Sequence, residues 1–277
     1  MTNMNQLQTM LRESCDAVLD LLGDREPEIG IVLGSGLGVL AEDIEDAVVI
    51  PYDQIPHMKC STVMHHIGRF VCGTLAGKCV IAMQGRLHGY EGYTPQDIAY
   101  PIWLMRAIGV RTLITTNAAG AINPAYSVGD FCIMSDHINL TGGNPIVGHE
   151  PNDIALRFVS MYNAYDPELR QLAKTIAAES EIAVHEGVYI GLLGPTFETA
   201  AEIRAFAAMG ADTVAMSVIH EVIAARHVSM RVLGISLITN MACGVEAADP
   251  TDFEVFQVAH SRSGAFCHLI TETVRRM

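Results

Sequence analysis

Apolar side chains recur at helical spacing near the start of the chain. Intervals of three and four residues separate them, as on one face of an amphipathic helix. The positions are Leu7, Met10, Leu11, Cys15, Val18, Leu19 and Leu22. Gly23 follows directly, and glycine commonly stands just beyond a helix end. The pattern predicts a first helix that Gly23 ends.

Beyond Gly23, short apolar runs alternate with longer segments of helical periodicity. The predicted strands are Gly30–Leu33, Phe70–Leu75, Cys79–Met83, Thr112–Thr116, Phe131–Met134, Gly187–Leu193, Thr213–Met216 and Val232–Thr239. The predicted helices are Gln96–Ile108, Pro167–Glu179, Thr199–Met209, Ile219–His227 and Phe253–Arg276. Most strand runs are continuously apolar, which is typical of strands covered on both faces. The alternation predicts an α/β protein with a largely parallel central sheet and right-handed crossovers.

Nothing in the composition divides the 277 residues into separate domains. No linker rich in proline, glycine or serine interrupts the alternation, and there is no internal repeat, so we expect one domain over residues 1–277. The segment Leu140–Pro151, rich in glycine and proline, is interpreted as a long surface loop of that domain. Half of the residues are hydrophobic and 17% are charged, which excludes an intrinsically disordered chain.

Charge and cysteine usage limit the partners and the compartment. The 17 basic and 31 acidic residues give a net charge of −14, so nucleic acid is not an expected partner. No apolar run reaches the roughly 18 residues that span a bilayer, so no membrane is expected, and no secretory signal is visible at the N-terminus. The seven cysteines contain no C-x-x-C pair, which argues against a disulfide framework and a zinc site. We expect a cytoplasmic protein.

Familiar cofactor motifs are incomplete. Gly34–Gly38 follows a predicted strand, but Val39 stands where the dinucleotide-binding fingerprint G-x-G-x-x-G needs its third glycine. His65 and His66 are the nearest approach to a pair of metal ligands, yet adjacent side chains diverge on regular structure. We therefore expect neither a metal nor an organic cofactor.

Polar residues follow the predicted strands at their carboxyl ends, where open α/β sheets bind ligands. One set suits an anion, because its hydroxyl, guanidinium, imidazole and backbone N–H groups donate to phosphate oxygens. It comprises Ser35, Arg86, His88, Ser217 and the amide of Ala118. A second set combines an aromatic ring with groups that hydrogen-bond a base, and comprises Phe197, Glu198 and Asn240. Together they predict a nucleoside-like substrate and inorganic phosphate.

Segments between Ile31 and about Cys243 resemble the purine nucleoside phosphorylases of the trimeric low-molecular-mass type. They are Leu33–Gly38 (LGSGLG), Ser61–Val63 (STV), Gln84–Tyr93 (QGRLHGYEGY), Thr116–Gly120 (TNAAG), Asp136–Leu140 (DHINL), Gly194–Thr199 (GPTFET), Met216–Ser217 (MS) and Ile238–Asn240 (ITN). The resemblance implies a single domain with a mixed, distorted, barrel-like central sheet flanked by helices. This sheet differs from the largely parallel sheet that the alternation of strands and helices predicts. It also implies a homotrimer.

The resemblance further implies that phosphate attacks C1′ of a purine ribo- or deoxyribonucleoside, releasing the base and (deoxy)ribose 1-phosphate with inversion. Such an enzyme stabilises positive charge on the sugar and negative charge on the departing base. Phosphate is then a co-substrate, and no cofactor is implied.

Residue roles follow from the same resemblance. Phosphate-binding residues would be Ser35, His66, Arg86, His88, Ala118 and Ser217; purine-binding residues would be Phe197, Glu198 and Asn240; ribose-binding residues would be Tyr90, Met216, Phe253 and Phe158. The expected catalytic residues are Asn240, His88 and Glu198. Glu91 would orient His88, and Phe158 would extend into the site of a neighbouring subunit.

Glu198 together with Asn240 resembles the pattern for 6-oxopurines. A carboxylate accepts the N1–H of inosine or guanosine, whereas adenosine offers no donor there, so we predict preference for inosine and guanosine. Phe253 stands where the family usually has a histidine for the ribose 5′-hydroxyl, and this favours the alternative of a methylthioadenosine or 5′-modified nucleoside phosphorylase. A hydrolytic nucleosidase and a non-catalytic nucleotide sensor are further alternatives. His220 replaces a family proline, and neither it nor His65 has an assigned role.

Overall fold

The described part of this computed structural model, residues 5–63, 66–246 and 251–277, contains nine strands and six α-helices. The strands are β1 (Ile29–Leu33), β2 (Glu45–Pro51), β3 (Arg69–Leu75), β4 (Lys78–Gln84), β5 (Thr112–Ala121), β6 (Phe131–Leu140), β7 (Val184–Leu192), β8 (Thr213–Ala215) and β9 (Arg231–Met241). The helices are α1 (Gln6–Leu22), α2 (Pro95–Ala107), α3 (Pro167–Glu179), α4 (Ala200–Ala208), α5 (Ile219–His227) and α6 (Asp252–Arg276). Gly23 caps α1 as predicted, donating its N–H to the Leu19 carbonyl.

The sheet is open at one end and closed into a ring at the other. Its strand order is β2-β3-β4-β1-β5-β8-β7-β6-β9, and β9 also pairs with β5. Strands β5, β8, β7, β6 and β9 therefore form a barrel-like ring, and the other four strands extend from it beside β5. This confirms the barrel-like sheet that the resemblance implied.

The sheet is mixed, so the prediction of a largely parallel sheet was only partly right. Parallel pairing joins β1 to β4 and β5, β5 to β9, β6 to β7, and β7 to β8. Antiparallel pairing joins β2 to β3, β3 to β4, β5 to β8, and β6 to β9. The β3–β4 hairpin turns at Ala76 and Gly77, which both have positive φ. A continuously apolar run indicates burial on both faces and carries no information on strand direction.

Two hydrophobic clusters cover the two faces of the sheet. Successive side chains of β1 pack on opposite faces of the sheet. Val32 belongs to the cluster that contains residues of α1, α2 and α5. Its neighbours Ile31 and Leu33 pack in the cluster that contains residues of α3 and α6. Burial on both sides explains why β1 is apolar throughout. Among the described residues, no helix combines the length and apolar character that crossing a membrane requires.

Strands β5 and β9 continue past the end of their apolar runs and bring polar residues to one place. β5 extends beyond Thr116 to Ala121, and β9 extends beyond Thr239 to Met241. Their parallel register shifts by one residue, so that Gly120 pairs with Asn240. Such bulges re-aim side chains and are frequent next to active sites. Here the bulge lies beside Asn240, one of the polar residues singled out in the sequence.

Candidate active site

A cavity of about 470 Å³ lies at the carboxyl ends of β1, β4 and β8 and beside the last residues of β5 and β9. Ten of the residues predicted from the sequence line it. They are Ser35, Arg86, His88, Tyr90, Ala118, Phe197, Glu198, Met216, Ser217 and Asn240. Arg86 and Asn240, which would hold opposite ends of the substrates, therefore face the same cavity.

Close backbone contacts place the glycine-rich loop after β1. A Cβ on Gly34 would lie 2.8 Å from the Asn117 Cα, so only glycine lets β1 and β5 approach this closely. Gly36 has φ +72°, and a Cβ there would lie 2.4 Å from the Ala259 Cβ of α6. The loop is thus held between β5 and α6 and presents Ser35 to the cavity.

Arg86 is almost fully buried, and Glu221 of α5 holds its guanidinium. Arg86 Nε donates to Glu221 Oε1 at 2.8 Å, and Nη2 donates to Glu221 Oε2 at 2.9 Å. Nη2 also donates to Thr115 Oγ1 at 2.9 Å, and the Thr115 hydroxyl donates to Glu221 Oε2 at 2.6 Å. Nη1 donates to the Thr116 carbonyl and lies 3.4 Å from Ser217 Oγ.

This arrangement limits which N–H groups of Arg86 can reach a ligand in the cavity. The Nε–Nη2 edge binds the Glu221 carboxylate in bidentate fashion, and only Nη1, beside Ser217, is directed towards the cavity. A buried arginine needs such a partner, because an unpaired charge in the interior is very costly. Sequence reasoning missed the role of Glu221, since 135 residues separate it from Arg86.

Two histidines stack at the same end of the cavity, and Glu91 holds one of them. The ring centroids of His66 and His88 are 5.1 Å apart. Glu91 Oε1 accepts from the His88 backbone N–H at 2.7 Å and lies 3.2 Å from His88 Nδ1, so the predicted contact is present. His66 does not line the cavity: its Nε2 is 3.3 Å from Ser35 Oγ, and its Nδ1 is 3.0 Å from the Arg86 carbonyl. His66 therefore supports residues that do line it.

Burial sets the protonation of these groups. Burial, reinforced by neighbouring His88, lowers the pKa of His66 to about 4. Burial also lowers the pKa of His88, although the hydrogen bond to Glu91 opposes it. Burial raises the pKa of Glu91, but hydrogen bonds from His88 and Thr62 outweigh this and bring it to about 2. At neutral pH the site therefore holds two neutral imidazoles and an ionised carboxylate.

The other end of the cavity presents an aromatic ring, a carboxylate and an amide. Phe197 is 44% exposed at the cavity mouth. Burial raises the pKa of Glu198. Asn240 Nδ2 donates one hydrogen to the Met241 carbonyl at 3.2 Å, and Asn240 Oδ1 accepts from the Thr239 hydroxyl at 3.2 Å. These contacts orient the Asn240 amide and leave its second N–H for a ligand.

Comparison with known proteins agrees with this geometry. The model of the phosphorylase superfamily matches residues 28–275. The chain belongs to the phosphorylase superfamily. It is 49% identical over 253 residues to purine nucleoside phosphorylase 1 of Geobacillus stearothermophilus, covering 91% of this chain and 92% of that protein. It is 44% identical to the purine nucleoside phosphorylase of Mus musculus, covering 77% and 76%.

Solved structures of the same family superpose closely. Schistosoma mansoni purine nucleoside phosphorylase in complex with inosine has a TM-score of 0.92 and is 36% identical, covering 97% of this chain and 96% of that one. Isoform 2 from the same organism, in complex with cytosine and ribose-1-phosphate, has a TM-score of 0.93 and is 40% identical, covering 97% and 96%. The fold and the family assignment from sequence are confirmed.

Two residues predicted to contact ribose lie outside the cavity. Phe253, in the first turn of α6, is 67% exposed, and Val255 lines the cavity instead. Residues two apart on a helix point about 200° from each other, so only one of the pair can face inward. The placement of Phe253 in the ribose pocket was therefore wrong. Phe158 is 89% exposed and does not line the cavity.

His220 packs against a loop rather than facing the cavity. It is buried, and its Nε2 lies 3.0 Å from Thr141 Oγ1 in the segment after β6. Burial lowers its pKa. His220 thus joins the first turn of α5 to that loop as a neutral side chain. His65 lies outside the described residues.

Proposed function

We propose that this chain catalyses the phosphorolysis of purine nucleosides. One observation carries the proposal: Arg86 and Ser217, whose side chains lie 3.4 Å apart, line the same cavity as Glu198 and Asn240. Its volume of about 470 Å³ lies in the range of small-molecule sites. The first pair suits an oxyanion, and the second suits a purine.

The charges of the site favour bond cleavage. A phosphate held beside Ser35, Ser217, His88 and the Ala118 amide would meet mainly neutral donors, because Glu221 balances the Arg86 charge. The phosphate thus keeps the negative charge that attacks C1′ and stabilises the oxocarbenium-like sugar. As the C1′–N9 bond breaks, the electron pair moves onto the purine, where the free N–H of Asn240 donates to N7.

The predicted preference for 6-oxopurines rests on Glu198. Its carboxylate would accept the N1–H of inosine or guanosine, whereas adenosine would leave it buried and unpaired. We expect kcat/KM for inosine to exceed that for adenosine by at least about 100-fold. Glu198→Gln should lower kcat/KM for inosine far more than that for adenosine, and comparable rates for both nucleosides in the unmodified enzyme would refute this preference. The alternative of a 5′-modified nucleoside as substrate rested mainly on Phe253, and Phe253 does not line the cavity.

Dependence on phosphate is the decisive experiment. Purified protein is incubated with inosine in the presence and absence of phosphate, after EDTA treatment, and hypoxanthine and ribose 1-phosphate are measured. We expect both products in equal amounts, only with phosphate, and without an added cofactor. Release of free ribose without phosphate would indicate a nucleosidase, and absence of any turnover with phosphate would indicate a binding protein.

We also propose a homotrimer in which Phe158 completes the ribose site of the neighbouring subunit. The segment before α3 supports this, because Leu156, Phe158 and Tyr162 are at least 80% exposed, and clustered exposed apolar residues mark interfaces. Light scattering should give three times the chain mass of 29.9 kDa. Phe158→Ala should raise KM for inosine and leave KM for phosphate unchanged, and a monomer with full activity would exclude the arrangement.

A further inference from the structure

Tyr189 lies behind the phosphate end of the cavity without lining it. This residue of β7 is fully buried. Its hydroxyl donates to the Ser217 carbonyl at 2.8 Å and accepts from the Ser217 backbone N–H at 3.2 Å. A single phenol oxygen therefore holds both polar backbone groups of a residue that faces the cavity.

Ser217 precedes a strained turn. Val218 has φ 71° and ψ −50°, and the Ile219 N–H donates to the Ser217 carbonyl at 2.8 Å. These are the features of the γ-turn with positive φ, which is rare in proteins. A β-branched residue in this region is an outlier, and such conformations persist only where surrounding contacts enforce them. Tyr189 supplies two of the contacts that do so here.

The turn directs groups that bind the oxyanion. Ser217 Oγ lies 3.4 Å from Arg86 Nη1, and both residues line the cavity. Immediately after the turn, α5 begins and carries Glu221, which holds the other edge of the Arg86 guanidinium. Burial raises the pKa of Tyr189, so its hydroxyl stays protonated and can donate at any working pH. A shift of this turn would move Ser217 relative to Arg86.

We propose that Tyr189 is a positioning residue for inorganic phosphate: its hydroxyl holds the turn that directs Ser217 Oγ to the phosphate end of the cavity. The inference rests on the proposed phosphorolysis and extends it to a residue that does not touch the substrates. The aromatic ring fills the core, whereas the hydroxyl positions Ser217. Removing the hydroxyl alone therefore separates the two roles.

The test compares Tyr189→Phe with Tyr165→Phe. Tyr165 is an equally buried tyrosine whose hydroxyl lies 3.0 Å from His137 Nδ1, and neither residue lines the cavity. We expect Tyr189→Phe to raise KM for phosphate about tenfold while KM for inosine stays within about twofold. Tyr165→Phe should leave both constants unchanged, and the two variants should melt at similar temperatures.

A double-mutant cycle with Ser217→Ala shows whether Tyr189 acts through Ser217. Once the Ser217 hydroxyl is gone, its direction no longer matters, so Tyr189→Phe should then change KM for phosphate by less than about twofold. An equal effect of Tyr189→Phe in both backgrounds would overturn the inference. So would an unchanged KM for phosphate in the single variant, or a Tyr189→Phe protein that fails to fold while Tyr165→Phe folds.

Direct binding separates this inference from the proposed reaction. Calorimetry of inorganic phosphate on both tyrosine variants and the unmodified protein gives Kd without turnover. If the unmodified protein does not convert inosine, the proposed function fails, and a Kd raised about tenfold only in Tyr189→Phe would still support the positioning role. If Tyr189→Phe and Tyr165→Phe bind phosphate with the same Kd, the positioning role is refuted, whether or not the enzyme converts inosine.

Discussion

At the scale of single residues, the most consequential contact is the buried pair of Arg86 and Glu221. Both side chains are at most 2% exposed, and two hydrogen bonds join them. Because the two opposite charges cancel, the pair itself adds no net charge to the part of the cavity that Arg86 lines. It also leaves Arg86 Nη1 as the only part of the guanidinium directed towards Ser217. The stability of the protein and the geometry of its site therefore depend on the same carboxylate.

Glu221→Gln should destabilise the protein strongly. The amide keeps the shape of the side chain but removes the charge that balances Arg86, and losing one partner of a buried pair costs about 3 kcal/mol. Urea denaturation measures the change in the free energy of unfolding. Glu168→Gln is the matched control: Glu168 pairs with Arg231 but is 86% exposed, so the change should stay below about 1 kcal/mol. Equal losses in both variants would contradict this assignment.

Gly120→Ala tests how tightly the Asn240 amide is held. A Cβ on Gly120 would lie 3.1 Å from Asn240 Nδ2, so the amide must shift. We expect kcat for inosine to fall about tenfold, because a small displacement of a transition-state donor is costly, while KM for phosphate stays constant. Gly264→Ala is the control: it adds a methyl group on the exposed face of α6 with no atom within 4 Å, and should leave kcat unchanged. A similar loss in both variants would mean that Asn240 is not the affected group.

At the scale of elements, the hydrophobic pattern predicted which helices and strands exist better than it predicted where each of them ends. Helices α3 and α5 have the predicted bounds. The strand β2, at the edge of the sheet, was missed: its first residues, Glu45–Ala47, are exposed, and its apolar run is only Val48–Ile50. β5 and β9 were cut short where their side chains turn towards the cavity, as at Asn117 and Asn240. The extensions lie at the functional site, because a strand lining a cavity need not be apolar.

Local patterns also could not predict which elements meet. The candidate residues followed from their position after strands, and ten of them line one cavity. The partners that hold them, Glu221 for Arg86 and Tyr189 for Ser217, lie on other elements and depend on the closed ring. The first turn of α6 shows the same limit: motif matching placed Phe253 in the site, whereas helix rotation places Val255 there.

The cap of α4 connects an element boundary to substrate binding. Thr199 Oγ1 accepts from the Glu202 N–H at 3.2 Å, and the Glu202 carboxylate accepts from the Thr199 N–H at 2.8 Å, directly after Glu198. Thr199→Ala should cost about 1 kcal/mol of stability and raise KM for inosine a few-fold, because the turn that carries Glu198 loosens. Asn5→Ala removes the cap of α1, away from the cavity, at a similar cost. Only Thr199→Ala should change KM for inosine. A change in KM for inosine in both variants would refute the idea that the cap of α4 acts through the neighbouring Glu198.

At the scale of the whole molecule, buried neutral histidines make the fold sensitive to acid. Burial lowers the pKa values of five of them. They are His66, His88, His137, His220 and His227. In the unfolded chain each histidine titrates near its ordinary pKa, so below that value the unfolded state binds protons that the folded state does not. Stability should therefore be complete above about pH 7 and fall as the pH drops.

The size of this loss can be calculated for His66, whose pKa is about 4 in the folded state and ordinarily 6.5. Between pH 7 and pH 5 this residue alone should lower the free energy of unfolding by about 2 kcal/mol, and the loss should level off below pH 4. Urea denaturation at each pH measures it. His66→Asn should flatten the dependence by that amount, whereas His260→Asn, on the exposed side of α6, should leave it unchanged. Because Glu91 stays ionised in the folded state down to about pH 2, its contribution is lost only below about pH 4.5. If the free energy of unfolding begins to fall only near pH 4.5, and not near pH 6.5, then carboxylates rather than buried histidines determine how stability depends on acid.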